Sequence, residues 1–172
     1  MSNNETFLSV RDMEVVYTSA GEIVHAVNGV SFELKKGETL GLVGETGAGK
    51  TTIAKAILRI LPDPPAIFKG GQVMLDGQDL VKLPESEMLK IRGDKIAMIF
   101  QDPMTALNPL MTVGDQILEV LMLHNSYSKD EGHKRVVEML ELVGIPGERN
   151  VEYPHQFSGG MKQRVVLAMA LA

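Results

Sequence analysis

Residues 44–51 read Gly44-Glu45-Thr46-Gly47-Ala48-Gly49-Lys50-Thr51, and this stretch decides the fold of the chain. Its spacing, G-x-x-x-x-G-K-[ST], is that of a phosphate-binding loop between a strand and a helix. The apolar run at 39–43 before the loop is typical of a buried strand. After the loop, apolar residues recur with helical spacing at Ile53, Ala56, Ile57, Ile60 and Leu61. Strand, loop and helix together predict an α/β protein that binds a nucleoside triphosphate.

The glycines at positions 44, 47 and 49 let this loop turn tightly, adopt positive φ and approach phosphate closely. The loop amides and the N-terminus of the following helix form an anion-binding nest. Lys50 supplies a full charge to the β- and γ-phosphates, and the Thr51 hydroxyl is positioned to bind Mg²⁺. The predicted nucleotide-binding residues of this region are Gly44, Glu45, Thr46, Gly47, Ala48, Gly49, Lys50, Thr51 and Thr52. A glycine-rich strand-to-helix turn with an incidental lysine is the alternative interpretation.

Composition places the chain among globular proteins, since 44% of its residues are apolar and 23% are charged. A net charge of −5 gives no general attraction to nucleic acid or anionic lipid. The absence of cysteine excludes disulfides and cysteine-ligated metal within these 172 residues. The first residues are polar and acidic, unlike a signal peptide, and the longest apolar run, 165–172, is too short to span a bilayer. A soluble, cytoplasmic chain is expected.

Alternating apolar residues before the phosphate loop predict an antiparallel β region. The alternation at 8–17 changes phase once, which predicts a bulge, and it resumes at 24–34. A further strand at 72–75 leads into Asp76-Gly77, a pair suited to a hairpin turn. The Pro-Asp-Pro-Pro run at 62–65 ends the phosphate-loop helix, because a helix cannot continue through it.

The remainder of the chain is predicted to contain one more strand and several helices. Residues 96–100 form a near-continuous apolar run, and Gln101 stands at its carboxyl end, where ligands bind in open α/β sheets. Helical spacing is present at 113–123. A capping-box pattern opens a second helix over 128–144, and a third helix is predicted over 161–172.

A second glycine motif, Ser158-Gly159-Gly160-Met161, opens the last of these helices. By itself, Ser-Gly-Gly before a helix is typical of an N-cap. In combination with the phosphate loop, the strand-ending Gln101 and the aromatic Tyr17 upstream, it resembles the nucleotide-binding domain of ATP-binding-cassette (ABC) transporters. The resemblance covers nearly all of the chain. It implies a P-loop NTPase core with an antiparallel β subdomain and a helical subdomain, incomplete at the C-terminus.

The resemblance gives each motif an expected role. Residues 44–51 correspond to the Walker A loop, Gln101 to the Q-loop glutamine, and residues 158–161 to the family signature. Tyr17 falls where the family places an aromatic that stacks on adenine. An ordinary strand tyrosine is an alternative interpretation of Tyr17 that stays open.

The sequence around the motifs narrows the choice within the family. Residues 99–109 and 153–161 look like the ATPase subunits of oligopeptide and dipeptide importers, although nickel and glutathione importers share much of both. Phe157 and Met161 stand where other members commonly have leucine and glutamine. A soluble ABC ATPase for DNA repair or translation stays open but is disfavoured by the acidic charge. A small-molecule P-loop kinase would leave the signature and Gln101 unexplained.

The resemblance implies a head-to-tail dimer in which the Walker A loop of one subunit and the signature of the other enclose each ATP. Thr51 and Gln101 would hold Mg²⁺. The residues expected to act in ATP hydrolysis are Lys50, Gln101, Ser158, Gly159 and Gly160. The implied partners are transmembrane permease subunits, a second ATP-binding subunit of the same or a different kind, and indirectly an extracytoplasmic substrate-binding protein, with no nucleic acid. The implied location is the cytoplasmic face of the cell membrane.

The resemblance also predicts subdomains and a continuation of the chain. Residues 1–101 are expected to form the β subdomain and Walker A core, residues 102–157 the Q-loop and helical subdomain, and residues 158–172 the signature and its helix. The resemblance implies that the Walker B aspartate, the catalytic glutamate and the switch histidine lie beyond Ala172. The last helix has no stop signal, which independently predicts a truncated chain. These residues by themselves are therefore expected to bind Mg²⁺·ATP weakly and not to hydrolyse it.

Overall fold

The structure, a computed structural model, describes residues 6–19, 21–102 and 105–172. Its strands are β1 Thr6–Ser19, β2 Glu22–Lys35, β3 Ala66–Leu75 and β4 Gln78–Asp79. Its α-helices are α1 Lys50–Ile57, α2 Glu85–Ile91, α3 Val113–His124, α4 Lys129–Leu142 and α5 Gly159–Leu171, with short 3₁₀ turns at Gly147–Val151 and Pro154–Gln156. The chain forms two compact units: the first ends at Leu89, and the second comprises Lys90–Ala172.

The strands of the first unit form one antiparallel sheet in the order β2-β1-β3-β4. The predicted bulge is confirmed: the pairing of β1 with β2 shifts register between Val10 and Met13, and Asp12 takes a left-handed φ of 47°. The Asp12 amide donates to Ser31 Oγ at 2.8 Å, which gives it a partner outside the ladder. Because the bulge changes the alternation, Val10 and Met13 are both fully buried despite their odd spacing.

Gly71 of β3 lies directly against this bulge. A Cβ at Gly71 would stand 2.6 Å from the carbonyl oxygen of Asp12 and 2.7 Å from that of Arg11. Its φ of 104° also lies in a region of backbone conformation that residues with a Cβ rarely adopt. Only glycine therefore allows β3 to pair beside the bulged part of β1.

The first unit has one further local feature that follows from its sequence. Asp76 and Gly77 both have positive φ, 47° and 78°, as a two-residue type I′ hairpin turn requires. They join β3 to β4, with Leu75 paired to Gln78. The predicted hairpin is confirmed.

Helix α1 is shorter than its apolar spacing predicted: it ends at Ile57 instead of continuing through Leu61. Arg59 takes φ of 53°, its amide donates to Ala56, and the Ile60 amide donates back to Lys55, which is the Schellman arrangement of a helix end. Arginine is an unusual residue for the left-handed position, where glycine is the norm. Here its guanidinium donates to the carbonyl of Leu80 at 3.0 Å, a contact that offsets the backbone strain.

The two apolar segments predicted as buried strands are not strands, which corrects the sequence interpretation. Among the described residues, 39–43 pairs with no strand, and 96–100 has only a single bridge from Ile96 to Arg92. Val43 is 98% exposed and Phe100 is 44% exposed. A parallel strand exists through hydrogen bonds to a neighbouring strand, so apolar composition is not sufficient to form one.

The second unit packs α3, α4 and α5 around one apolar core. Its main buried members are Leu107, Val113, Ile117, Leu121, Val136, Leu140, Ile145, Phe157, Val165 and Ala168. Arg164 of α5 donates to the carbonyls of Val143 at 3.3 Å and Gly144 at 2.8 Å, which satisfies the C-terminal end of α4. This contact ties α5 to α4 outside the core.

The predicted helix start at Ser128 is confirmed in detail. Ser128 Oγ accepts from the Glu131 amide, and the Glu131 carboxylate accepts from the Ser128 amide at 2.9 Å, so the capping box is complete. Hydrogen bonds from the Ser128 hydroxyl and amide hold the pKa of Glu131 below its ordinary value.

No helix in the described parts of the chain combines the length and apolar character needed to cross a membrane.

Candidate functional site

The phosphate loop is an exposed, irregular segment that runs directly into α1. Gly47 and Gly49 have φ of 88° and 81°, whereas Gly44 does not adopt a positive φ, so the expectation of left-handed backbone holds at two of the three glycines. The Ala48 amide is used within the loop, where it donates to the Glu45 carbonyl at 3.1 Å. Within the described residues, no hydrogen bond takes up the amides of Gly47, Gly49 or Lys50. These donors suit an anion at the start of α1.

Lys50 closes the loop from the helix side. Its Nζ donates to the carbonyl oxygens of Gly44 at 2.6 Å and Glu45 at 2.7 Å. An ammonium group has three N–H donors, so these two bonds leave one for a phosphate oxygen. The backbone of the loop and its only ammonium group are thus arranged around one small region.

Tyr17 and Thr52 meet beside the loop. The Tyr17 hydroxyl lies 3.5 Å from Thr52 Oγ1 on the first turn of α1, and the Tyr17 side chain is half-buried. This contact brings an aromatic of β1 to the predicted nucleotide site. Stacking of the ring on adenine remains a prediction, because the contact fixes the hydroxyl and not a free ring face.

The site offers few protein ligands for a magnesium ion. Among the described residues, no group of three or more histidine or carboxylate side chains could hold a metal ion. Thr51 lies exposed on the first turn of α1. A single hydroxyl is consistent with Mg²⁺, which commonly keeps several waters and takes its other ligands from substrate phosphates.

Gln101 lies in the second unit and is exposed after the segment 96–100. It follows an irregular segment and not the predicted strand. Just beyond it, Thr105 Oγ1 donates to the Asp102 carbonyl at 3.0 Å. Pro103 and Met104, part of the segment on which the resemblance to peptide importers rests, lie outside the described residues. Shared ligation of Mg²⁺ by Thr51 and Gln101 stays a prediction.

The signature motif forms the start of α5. Ser158 is its N-cap, and Ser158 Oγ accepts from the Met161 amide at 3.4 Å, so the N-cap interpretation is confirmed. Both Gly159 and Gly160 lack positive φ, and a Cβ on either would meet no atom within 4 Å. No acidic residue lies in the first turn. The fold of the described chain therefore gives no steric reason for two glycines here, and the helix start is open to an anion.

Sequence reasoning missed Arg149, which contacts residues on both sides of Ser158. Its Nε and Nη2 donate to Glu152 at 2.9 and 2.6 Å, and its guanidinium carbon lies 4.5 Å from the centre of the Phe157 ring. The hydrogen bond from Arg149 holds the pKa of Glu152 below its ordinary value, although partial burial opposes the shift. The i, i+3 spacing of the two charges was the available signal, but such pairs are common on surfaces.

We expect Lys50→Ala to weaken nucleoside triphosphate binding by about 10- to 100-fold, because a charged hydrogen bond contributes about 1.5 to 3 kcal/mol. Titration calorimetry with ATP on the native gene product measures the change. Lys55→Ala, in the last turn of the same helix, is the matched control and should leave the affinity unchanged. Equal affinities of the Lys50→Ala variant and the unmodified protein would contradict the assignment of the loop.

Comparisons with known proteins agree with this arrangement. A family model described as ABC transporter matches residues 27–172. The chain is 54% identical to the oligopeptide transport ATP-binding protein OppD of Bacillus subtilis (strain 168) over 167 residues, 96% of this chain and 47% of the relative. It is 53% identical to the dipeptide transport ATP-binding protein DppD of the same organism over 169 residues, 97% of this chain and 50% of the relative. The chain spans about half the length of the curated relatives it matches.

A solved structure extends the comparison to three dimensions. It is the dimeric structure of a post-hydrolysis state of the ATP-binding cassette MJ0796 bound to ADP and Pi. The match has a TM-score of 0.82 at 31% identity and covers 96% of this chain and 69% of that one. The expected fold class is confirmed by this likeness.

Proposed function

This chain belongs to the ABC transporter family, and we propose that it forms the ATP-binding part of a subunit that hydrolyses ATP to power the import of oligopeptides or dipeptides. The observation that carries the proposal is the phosphate loop, with its unpaired amides and Lys50 drawn across it, in a chain about half identical to two peptide-transport ATP-binding proteins. The family membership supports nucleotide binding. The coupling to peptides rests on the relatives.

In the proposed mechanism, the first unit binds the nucleotide. The amides of Gly47, Gly49 and Lys50 and the Lys50 ammonium contact the β- and γ-phosphates, and Tyr17 lies next to the base. The Thr51 hydroxyl would hold Mg²⁺, which would supply positive charge to the phosphate oxygens, and a role of Gln101 as a further ligand stays a prediction from the resemblance. Phosphoryl transfer to water depends mostly on positioning and on charge stabilisation, and these residues provide both.

The signature is proposed to act on the nucleotide of a second ATP-binding subunit. Ser158, Gly159 and Gly160 would contact the γ-phosphate bound by the partner's Walker A loop in a head-to-tail dimer. The open space around both glycines supports this, since a surface free of side chains lets another subunit approach closely. The dimeric state described for MJ0796 supports pairing of such cassettes. Permease subunits at the cytoplasmic face of the membrane would be the further partners, with an extracytoplasmic substrate-binding protein engaged indirectly.

The proposal is tested by reconstituting the native gene product with its permease partners in lipid vesicles. We expect di- or oligopeptides to be taken up with ATP hydrolysis, and we expect Lys50→Ala to abolish both. Nickel ions and glutathione serve as competing cargoes, and DNA as a competing activator of hydrolysis. Uptake of nickel or glutathione without peptide uptake would contradict the assigned substrate, and hydrolysis stimulated by DNA would contradict the transport function.

A further inference from the structure

Arg149 makes a set of contacts that meet at the signature motif. It lies on the 3₁₀ turn Gly147–Val151, nine positions before Ser158, and 27% of its side chain is exposed. Besides its bonds to Glu152, Nη2 donates to the carbonyl oxygen of Gln156 at 3.3 Å. The guanidinium is thus bonded to the loop that leads into α5.

Two further contacts of Arg149 flank Ser158. The guanidinium carbon stands 4.5 Å from the ring centre of Phe157, the residue just before Ser158. Nη1 lies 3.5 Å from Sδ of Met161, the residue whose amide donates to Ser158 Oγ. Phe157 is 5% exposed and belongs to the core of the second unit, so the guanidinium contacts a fixed surface. One planar group therefore touches the residues on both sides of the cap.

We propose that Arg149 is a positioning residue that sets the geometry of Ser158 and the first turn of α5 for contact with a nucleotide phosphate. This inference rests on the proposed function of the signature. Its charge is paired with Glu152 at 2.6 Å, so Arg149 acts through its shape and its donors more than through long-range attraction. Only arginine has a planar fork of donors that bonds a carboxylate and stacks on a ring at once. Lysine keeps the charge and loses both features.

The test compares Arg149→Lys with a matched arginine in the native gene product assembled with its partners. Arg135 forms an i, i+3 pair with Glu138 on α4, as Arg149 does with Glu152, but has no contact with the signature among those described. We expect Arg149→Lys to lower kcat for ATP hydrolysis by about tenfold, with KM and the nucleotide Kd within about twofold of the unmodified protein. Arg135→Lys should leave all three values unchanged.

A double-mutant cycle shows whether Arg149 acts through the Phe157 ring. Phe157→Leu keeps an apolar side chain in the core and removes the aromatic face. In the Phe157→Leu background, the free-energy effect of Arg149→Lys on kcat should be at most about a third of its effect in the unmodified protein. The reason is that the effects of substitutions at contacting residues are coupled. Thermal unfolding of each variant is measured in parallel.

Three results would overturn the inference. They are an unchanged kcat in Arg149→Lys, fully additive effects in the cycle, and a fall in kcat matched by equal losses of nucleotide affinity and thermal stability. Failure of the proposed function would give different results: the unmodified protein would not hydrolyse ATP, or the Lys50→Ala variant would hydrolyse it normally. In that case the role assigned to Arg149 falls as well.

Discussion

Replacing Gly49 with alanine is expected to destabilise the first unit by about 3 to 5 kcal/mol and to abolish nucleotide binding. A Cβ at Gly49 would stand 2.2 Å from the carbonyl oxygen of Ala26 and 3.3 Å from its carbonyl carbon. These are backbone atoms of β2, so the clash cannot be relieved by turning a side chain. The φ of 81° adds strain, because L-residues with a Cβ rarely adopt it.

Chemical denaturation of the native gene product and titration with ATP measure the two effects. Gly47→Ala is the matched control, since Gly47 has a similar φ of 88° but no atom within 4 Å of the added Cβ. It should cost only about 1 to 2 kcal/mol, the contribution of the left-handed backbone. If both variants lost the same stability, the contact between Gly49 and β2 would not be what requires glycine at this position.

Replacing Gly159 with tryptophan is expected to lower ATP hydrolysis by about 100- to 1000-fold while the protein stays folded and binds ATP normally. A Cβ at Gly159 would meet no atom within 4 Å in the described chain, the residue is exposed, and its φ is not left-handed. If the signature contacts a phosphate held by a second subunit, as proposed, the bulky group would block the close approach of its backbone, and the loss would arise outside this chain. Loss of an interaction made only on closure lowers the rate and not the affinity.

The measurements are steady-state hydrolysis, ATP affinity and thermal unfolding of the assembled transporter. Gly159→Ala separates size from backbone effects, and it should leave stability unchanged or raise it by up to about 1 kcal/mol, since glycine is a poor helix former. Normal hydrolysis in Gly159→Trp would contradict the role of the signature. A fall in ATP affinity proportional to the fall in rate would contradict it equally.

Gly49 and Gly159 look alike in the sequence, since each belongs to a glycine-rich motif that opens a helix. The structure separates them: backbone atoms of β2 lie against the position of a Cβ at Gly49, whereas a Cβ at Gly159 would meet no atom within 4 Å in the described chain. Backbone sterics therefore favour glycine at position 49, whereas an added Cβ meets no steric conflict at position 159. Sequence pattern indicates where glycines matter, but the surrounding atoms decide why.

Short-range features were predictable from the sequence. The phosphate loop runs directly into α1 as predicted, although Gly44 lacks the expected positive φ and no strand directly precedes the loop in the described chain. The Asp76-Gly77 turn and the capping box at Ser128 both appear as predicted. In each, the groups that form the feature lie within a few positions of one another, and their geometry follows from residue type. The bulge in β1 was predictable for the same reason, because a change of phase in the apolar alternation marks it.

The tertiary structure decided what depends on distant partners. Helix α1 ends at Ile57 with Arg59 in the left-handed position, and the Arg59 guanidinium donates to the carbonyl of Leu80, more than twenty positions away. The apolar run at 39–43 is not a strand, because strand formation requires a neighbour that no property of the run itself supplies. The sequence did not indicate that Arg149 contacts the signature. Only the tertiary structure shows its guanidinium against Phe157 and Met161. The sequence by itself determined the motifs and their chemistry, and packing determined which atoms surround them.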